Sequence, residues 1–449
     1  MTADSNTAPT RADGGLATDD ARRARIVTVL MEHFGDLLVA DPEAFRRKFR
    51  VMAASPFAFY RGSAVLFYDD MAAAEEKPAD PRAAQVWIQG DLHAENFGTY
   101  MTAAGRLVFD VNDFDEAYLG PFDWDLRRLL ASLALIGYSK AFSDDDIRAV
   151  VRAGTLGYAE RMRDFAAGAS ADDLALTLTS TSGPIHAALE RAQVATRSEL
   201  LDALTVVEGC ERRFRRGPRA RDVDPETAED VRAAFAHYLT TLPDLPGRDT
   251  DALQVKDLVA ASGFGIGSAG LPAFTLLIDG PTDALETDVM ISMKQANVCA
   301  PSRVVLDERI ASYFEHHGHR TVVSQRALQS YSDPWLGWTL LRGEGQIVKE
   351  LSVYEKDLDW SELADVAEVI DVARQLGHAA AKVHAVADSH TEQTLVPFDA
   401  EQAIQASIGD DHERFADELT EFAMTYSDLV RRDHRLFVDA FRNHEIAGL

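Results

Sequence analysis

The sequence predicts an α+β fold of two lobes, a small antiparallel β lobe and a larger α-rich lobe, on three observations. Apolar residues recur at three- and four-residue steps near both ends of the chain, the signature of amphipathic helices. Three short β-like runs, Leu253–Val259, Pro272–Ile278 and Asp288–Met293, cluster in the middle, separated by Gly-rich and Pro/Asp-rich turns. No internal repeat or heptad run replaces this pattern.

Residues 1–20 are polar and poor in large apolar side chains, and are expected to form a disordered tail. Ile26, Val29, Leu30, Phe34, Leu37 and Leu38 then mark a helix, with a second starting near Asp41-Pro42 and Ser55-Pro56-Phe57 ending it. Gln85–Gln89 reads as a strand entering a Gly-Asp turn, and Arg106–Val111 as the return strand of a hairpin turned at Ala104-Gly105. Residues 124–245 read as almost wholly helical, so 21–249 is assigned to the large lobe. Residues 250–351 are assigned to the β lobe, with Trp335–Leu341 and Gly345–Leu351 as a strand pair. Residues 352–449 complete the large lobe with long helices at 361–387 and 399–445.

The chain has 449 residues, 46% of them apolar, enough for a substantial core. Lys and Arg number 45 against 73 Asp and Glu, a net charge of −28, which argues against a nucleic-acid partner and leaves neutral or cationic small molecules as the easier substrates. Only Cys210 and Cys299 are present, so neither a disulfide framework nor a thiolate zinc site is indicated. The longest mainly apolar run, Leu129–Tyr138, is too short to span a bilayer, and no export signal is visible. No membrane association and a cytoplasmic location are expected.

The chemistry concentrates in Gln89-Gly90-Asp91-Leu92-His93-Ala94-Glu95-Asn96-Phe97-Gly98 and the Phe109–Ala117 stretch that follows. An Asp with an Asn five residues later suits phosphoryl transfer: the acid orients a hydroxyl and the amide oxygen holds Mg²⁺. Asp110, Asp113 and Asp115 compete as the second metal-binding acid, and strand direction favours Asp113. Gly263-Phe-Gly265-Ile-Gly267-Ser268-Ala-Gly270 allows backbone N–H groups close to phosphates, and Lys294 on a neighbouring strand would neutralise them. Either alone is weak, since glycines more often just permit a hairpin and a strand Lys is often solvated. Together with the acidic loop they are the four parts of a kinase-type site.

Gly90-Asp91-Leu-His93-x-x-Asn96, then Asp113-Phe-Asp115 and Trp124-Asp125-Leu-x-Arg128, resemble the catalytic segment of aminoglycoside phosphotransferase-type kinases. The chain from Ser55–Gly62 to His384-Ala385 also resembles the domain-of-unknown-function 2252 family of bacterial proteins. The resemblance implies a bilobal protein-kinase-like fold that is circularly permuted, because the Gly-rich stretch and Lys294 follow the catalytic loop instead of preceding it. The helix Ala373–Ala385 would then lead in space into the strand at Gln85, which permutation tolerates when termini lie close together. Gln89 stands where phosphotransferases commonly carry His, and Phe-Asp follows Asp113 in place of Phe-Gly. Glu308 and Glu315 are the open choices for the acid that pairs with Lys294.

The expected activity is phosphotransfer from ATP, with Mg²⁺, to a hydroxyl of a small molecule. Asp91 would be the catalytic acid-base residue with His93 beside it; Asn96 and Asp113, with Asp115 as a further candidate, would bind the metal. Gly265, Gly267, Ser268, Gly270, Lys294 and Arg61 would hold the nucleotide. Blander roles compete: His93 as loop support, Asp125 as a helix-start acid bracing loop N–H groups, Arg61 in an ion pair, and Asp144–Asp146 as a helix cap. A metal-dependent phosphohydrolase using Asp91, His93, Asp113 and Asp115 is a second class. A nucleotide-binding pseudokinase or AMP transferase is a third.

Overall fold

The computed structural model describes residues 18–74, 76–172, 174–242, 253–261, 270–329, 331–387 and 393–448. In chain order the first part comprises α1 (Asp19–Ala40), α2 (Pro42–Met52), α3 (Pro56–Gly62), α4 (Ala64–Ala74), β1 (Val86–Ile88), β2 (Phe97–Met101), β3 (Leu107–Val111), β4 (Tyr118–Gly120), α5 (Phe122–Ser139) and α6 (Asp144–Ala166). The middle comprises α7 (Gly183–Gln193), α8 (Arg197–Leu204), β5 (Thr205–Glu208), β6 (Glu211–Phe214), β7 (Ala220–Arg221), α9 (Pro225–Leu239), β8 (Val255–Ala261), β9 (Ala273–Ile278) and β10 (Val289–Gln295). The last part comprises α10 (Glu308–Tyr313), α11 (His317–Leu328), β11 (Gly337–Leu341), β12 (Glu344–Glu350), β13 (Lys356–Asp357), α12 (Val366–Val386), α13 (Ala400–Ile408) and α14 (His412–Arg442). The fold is α+β with antiparallel sheets.

Capping chemistry sets the helix ends. Asp41 follows α1 and accepts the Ala44 N–H at 2.9 Å while Pro42 starts α2. Ser55 caps α3, and Arg61 lies in the last turn of that helix. Ser143 and Asp146 form a capping box on α6.

The main core joins the N-terminal helices, β1–β4, α5, α6 and α12–α14. The helices α6 and α12 approach unusually closely: a Cβ on Gly377 would lie 2.1 Å from the Gly154 carbonyl oxygen. That crossing carries His384, near the end of α12, into the interior.

A second core lies on the six-stranded sheet, ordered β11-β12-β10-β9-β8-β7. Phe274, Leu276, Ile278, Val289, Ile291 and Met293 face Val231, Phe235 and Tyr238 of α9. On the opposite face Val259, Leu277 and Met290 meet Leu201 of α8 and Phe214 of β6. Both faces are covered, which is why β9 reads as a continuous apolar run. Lys294 sits in register between Ala273 and Ile347, near the end of β10.

Several boundaries differ from the sequence reading. Residues 124–245 are not all helix: β5 and β6 form a hairpin, and β7 joins the large sheet. The sheet and its covering helices therefore draw on residues before 250. Charged Arg212, Arg213 and Arg215 obscured the alternation along β6, where Arg212 turns inward and Arg213 outward. The helix expected at 361–387 begins at Val366, capped by Asp365, and the one at 399–445 breaks at Gly409, whose φ is +74°. Residues 1–17 of the expected tail lie outside the described residues. Among the described residues, no helix is long and apolar enough to cross a membrane.

Candidate active site

The loop after β1 is built on one conformational requirement. Gly90 has φ +86°, and a Cβ there would lie 2.0 Å from the Glu116 carbonyl oxygen, so only glycine fits. Asp125, fully buried in the first turn of α5, accepts the Gln89 N–H at 2.5 Å and the Gly90 N–H at 2.9 Å. His384 Nε2 stands 3.1 Å from the same carboxylate, and its Nδ1 is 2.7 Å from the Tyr158 hydroxyl. The end of α12 is thereby tied to the end of β1. Tyr68 donates to the Gly90 carbonyl at 2.7 Å. The Gln89 side chain accepts the Asp91 N–H at 2.8 Å and donates to the Asp113 carbonyl, joining the two acidic segments.

Asp91 is held by Arg128, one helical turn beyond Asp125 on α5. Arg128 Nε donates to Asp91 Oδ1 at 2.6 Å, its Nη2 donates to the Tyr60 carbonyl at 3.0 Å, and its guanidinium lies 4.2 Å from the Tyr60 ring centroid. Burial raises the Asp91 pKa to about 6 against the opposing pull of Arg128. His93 Nε2 is 3.8 Å from Asp91 Oδ2, and its Nδ1 accepts the Glu95 N–H at 3.2 Å. Burial holds this imidazole neutral, well below the usual histidine range. Asn96 donates its side-chain N–H to the Asp91 carbonyl at 3.0 Å, leaving its amide oxygen as an acceptor.

The second acidic segment reaches the large sheet. Lys294 pairs with Asp115, and Arg320 of α11 donates to the carbonyls of Ala117, Asp115 and Asn297 at 2.6, 2.8 and 3.0 Å. Burial works to raise the Asp115 pKa, but the charge and hydrogen bond of Lys294 together with the charges of Lys349 and Arg320 outweigh it, and the carboxyl is held below its ordinary value. Asp113 Oδ1 accepts the Asp115 N–H at 3.2 Å. Its carboxylate is accessible within the cleft yet ringed by protein, and that enclosure together with the Asp115 charge raises its pKa. Glu116 accepts the Ala300 N–H at 2.5 Å and is pushed up to about 7 by burial.

Asp91, Asp113, Asp115 and Glu116 line one cavity with Arg61 and Gln89. It holds about 60 Å³, and Leu271, next to Gly270, forms part of its wall. The structure also separates some candidates. Asp110 pairs with the buried Lys382 on another side of the β2–β3 hairpin, so it does not share this cavity. Arg61 pairs with Glu95. Gly265, Gly267 and Ser268 lie outside the described residues; Gly270 has φ +81° and its Cβ position faces the Phe45 ring at 3.4 Å. Neither Glu308 nor Glu315 is the ion-pair partner of Lys294, a position that Asp115 takes.

Sequence reasoning gave no role to Arg128, although its three-residue spacing from Asp125 on a helix places the two on one face. His384 was equally silent, because its partner lies 259 positions away. Among the described residues, no group of three or more His, Cys, Asp or Glu side chains is arranged to hold a metal ion. Asn96 and Asp113 remain a two-ligand set: an amide oxygen on a residue 5% exposed and outside the cavity lining, and a carboxylate on that lining that has no ion-pair partner among the described residues. Such a set fits Mg²⁺, which takes few protein ligands and keeps several waters.

Residues 40–440 match the family described as "Uncharacterized protein conserved in bacteria (DUF2252)", and the chain belongs to that family. No curated protein and no solved structure matches the chain.

Proposed function

For this member of a family conserved in bacteria, we propose an ATP- and Mg²⁺-dependent phosphotransferase of circularly permuted, protein-kinase-like architecture, acting on a hydroxyl of a small molecule. The observation that carries the reading is the convergence on one cavity of the Asp91 loop and the Asp113–Asp115 segment, with Lys294 from the sheet paired to Asp115. A Gly-rich connection between two antiparallel strands, a Lys on the third strand and an Asp-x₄-Asn loop with a following Asp are the parts phosphoryl transfer requires. The tie between His384 and Asp125 supports the permuted order, because it sets the end of α12 beside the strand that enters the loop.

In this reading Asp91 accepts the proton of the acceptor hydroxyl. Arg128 occupies one of its oxygens and fixes the carboxylate, while the other stays on the side of neutral His93. Asn96 and Asp113 would hold Mg²⁺, whose charge, when bound, neutralises phosphate oxygens. Lys294 would exchange Asp115 for phosphate oxygens, and the 263–270 stretch would contribute backbone N–H groups. Catalysis would rest on positioning and charge neutralisation. A two-metal phosphohydrolase finds less support, since the described residues lack a three-ligand acidic cluster.

Magnesium-ATP is expected to raise the melting temperature of the wild type, and Asp113→Ala to abolish the shift. An unchanged shift in that variant would sink the metal assignment.

A further inference from the structure

Lys48 of α2 is 4% exposed and lines the same cavity as Asp91. Its ammonium lies 4.0 Å from the Phe34 ring centroid and 5.8 Å from that of Phe45. Three N–H donors need acceptors, yet among the described residues no hydrogen bond or ion pair reaches this one; its charged neighbours are Glu116 and Asp91. A buried ammonium set against aromatic rings and distant carboxylates, with no hydrogen-bond acceptor, is costly, and folding tolerates it where a ligand completes it. Two further nitrogens of cavity-lining residues, Arg61 Nε and His33 Nδ1, are buried with no hydrogen-bond partner among the described residues.

Three of the four described carboxylates on the cavity wall are engaged elsewhere, and the fourth, Asp113, is the one assigned to the metal. Asp91 is committed to Arg128, Asp115 to Lys294, and one Glu116 oxygen to the Ala300 N–H. The carboxylates whose charge acts on Lys48 are Glu116 and Asp91, whereas Lys294 is paired with Asp115 on the wall of the same cavity. We propose that Lys48 binds an anionic group, phosphate or carboxylate, carried by the same acceptor molecule whose hydroxyl faces Asp91. The acceptor is then a small anionic hydroxyl compound. This rests on the phosphotransferase reading; the charges that touch the cavity, and not the whole-chain charge of −28, set the sign of the acceptor.

The test is calorimetric titration of the full chain, wild type, Lys48→Met and Lys48→Arg, with inorganic phosphate and separately with magnesium and the β,γ-imido analogue of ATP. Phosphate affinity is expected to fall roughly tenfold or more in Lys48→Met and to persist in Lys48→Arg, as for a charge-assisted contact. The nucleotide analogue is expected to bind wild type and Lys48→Met equally. Lys48→Met should melt at or above the wild-type temperature, because methionine fills the space without the buried charge, so lost binding cannot be ascribed to unfolding. Equal phosphate affinity in wild type and Lys48→Met overturns the proposal. Joint loss of phosphate and analogue in Lys48→Met assigns Lys48 to the nucleotide and overturns the acceptor role. Failure of the wild type to bind the analogue, with phosphate still dependent on Lys48, overturns the phosphotransferase reading and the acceptor role with it, while leaving an anion site.

Discussion

Lys294 on β10 closes an ion pair with Asp115, 179 positions away, and so joins the large sheet to the acidic segment that follows the β2–β3 hairpin. The side chains are 21% and 36% exposed, so a pair of this kind contributes about 0–1 kcal/mol to stability. Its proposed importance is for function. Lys294→Met is expected to shift the melting temperature by only a few degrees while lowering phosphoryl transfer on the order of 10²-fold or more. Kinetics beside thermal melts check this, and a variant with unaltered transfer would remove Lys294 from the nucleotide site.

Asp125 carries the opposite balance. It accepts two loop N–H groups and meets His384, all out of contact with solvent. Asp125→Ala leaves those donors unmatched and should cost about 3–5 kcal/mol, read from urea unfolding. A cost under about 1 kcal/mol would mean that the loop is held by something else.

Gly90 and Gly105 both have positive φ, but only Gly90 meets backbone where a Cβ would go. Gly105→Ala is expected to cost about 1 kcal/mol from conformation alone. Gly90→Ala adds a clash with the Glu116 carbonyl and should cost clearly more than about 2 kcal/mol. Equal losses in the two variants would contradict the described packing of the Asp91 loop on Glu116.

The pH dependence has a definite sign. The folded-state pKa values of Glu116, about 7, and Asp91, about 6, lie above the ordinary carboxylate range. Their contribution to stability is therefore full below that range and is lost as pH rises through the folded values. The melting temperature should fall between about pH 5 and pH 8, less steeply in Glu116→Gln, which keeps an acceptor for the Ala300 N–H. Identical slopes for the two proteins would show that Glu116 does not titrate as described.

Much of the architecture was legible where local rules act alone. The Asp41-Pro42 junction, the 104–105 turn and the three central strands carry their signals within a few residues. The strands at 205–221 were not, because arginine-rich alternation on short segments resembles a solvated helix. Within the site, Asp91, Asn96 and Asp113 stood out by spacing along one segment. The partners of Lys294, Asp91 and Asp125 did not, because Asp115, Arg128 and His384 reach them through tertiary packing that no spacing encodes. Lys48 was hidden for a related reason: on α2 it reads as one more charge beside Arg46 and Arg47, and only burial distinguishes it.

The central claim is transfer of the terminal phosphoryl group through Asp91. Wild type and Asp91→Asn, incubated with magnesium, a pool of small metabolites and ATP labelled at either the γ or the α phosphate, provide the most direct measurement. Label from the γ position should appear in a small anionic product with the wild type, and its rate should drop on the order of 10²-fold or more with Asp91→Asn. Transfer of the α label, or equal γ transfer by both proteins, would contradict the account.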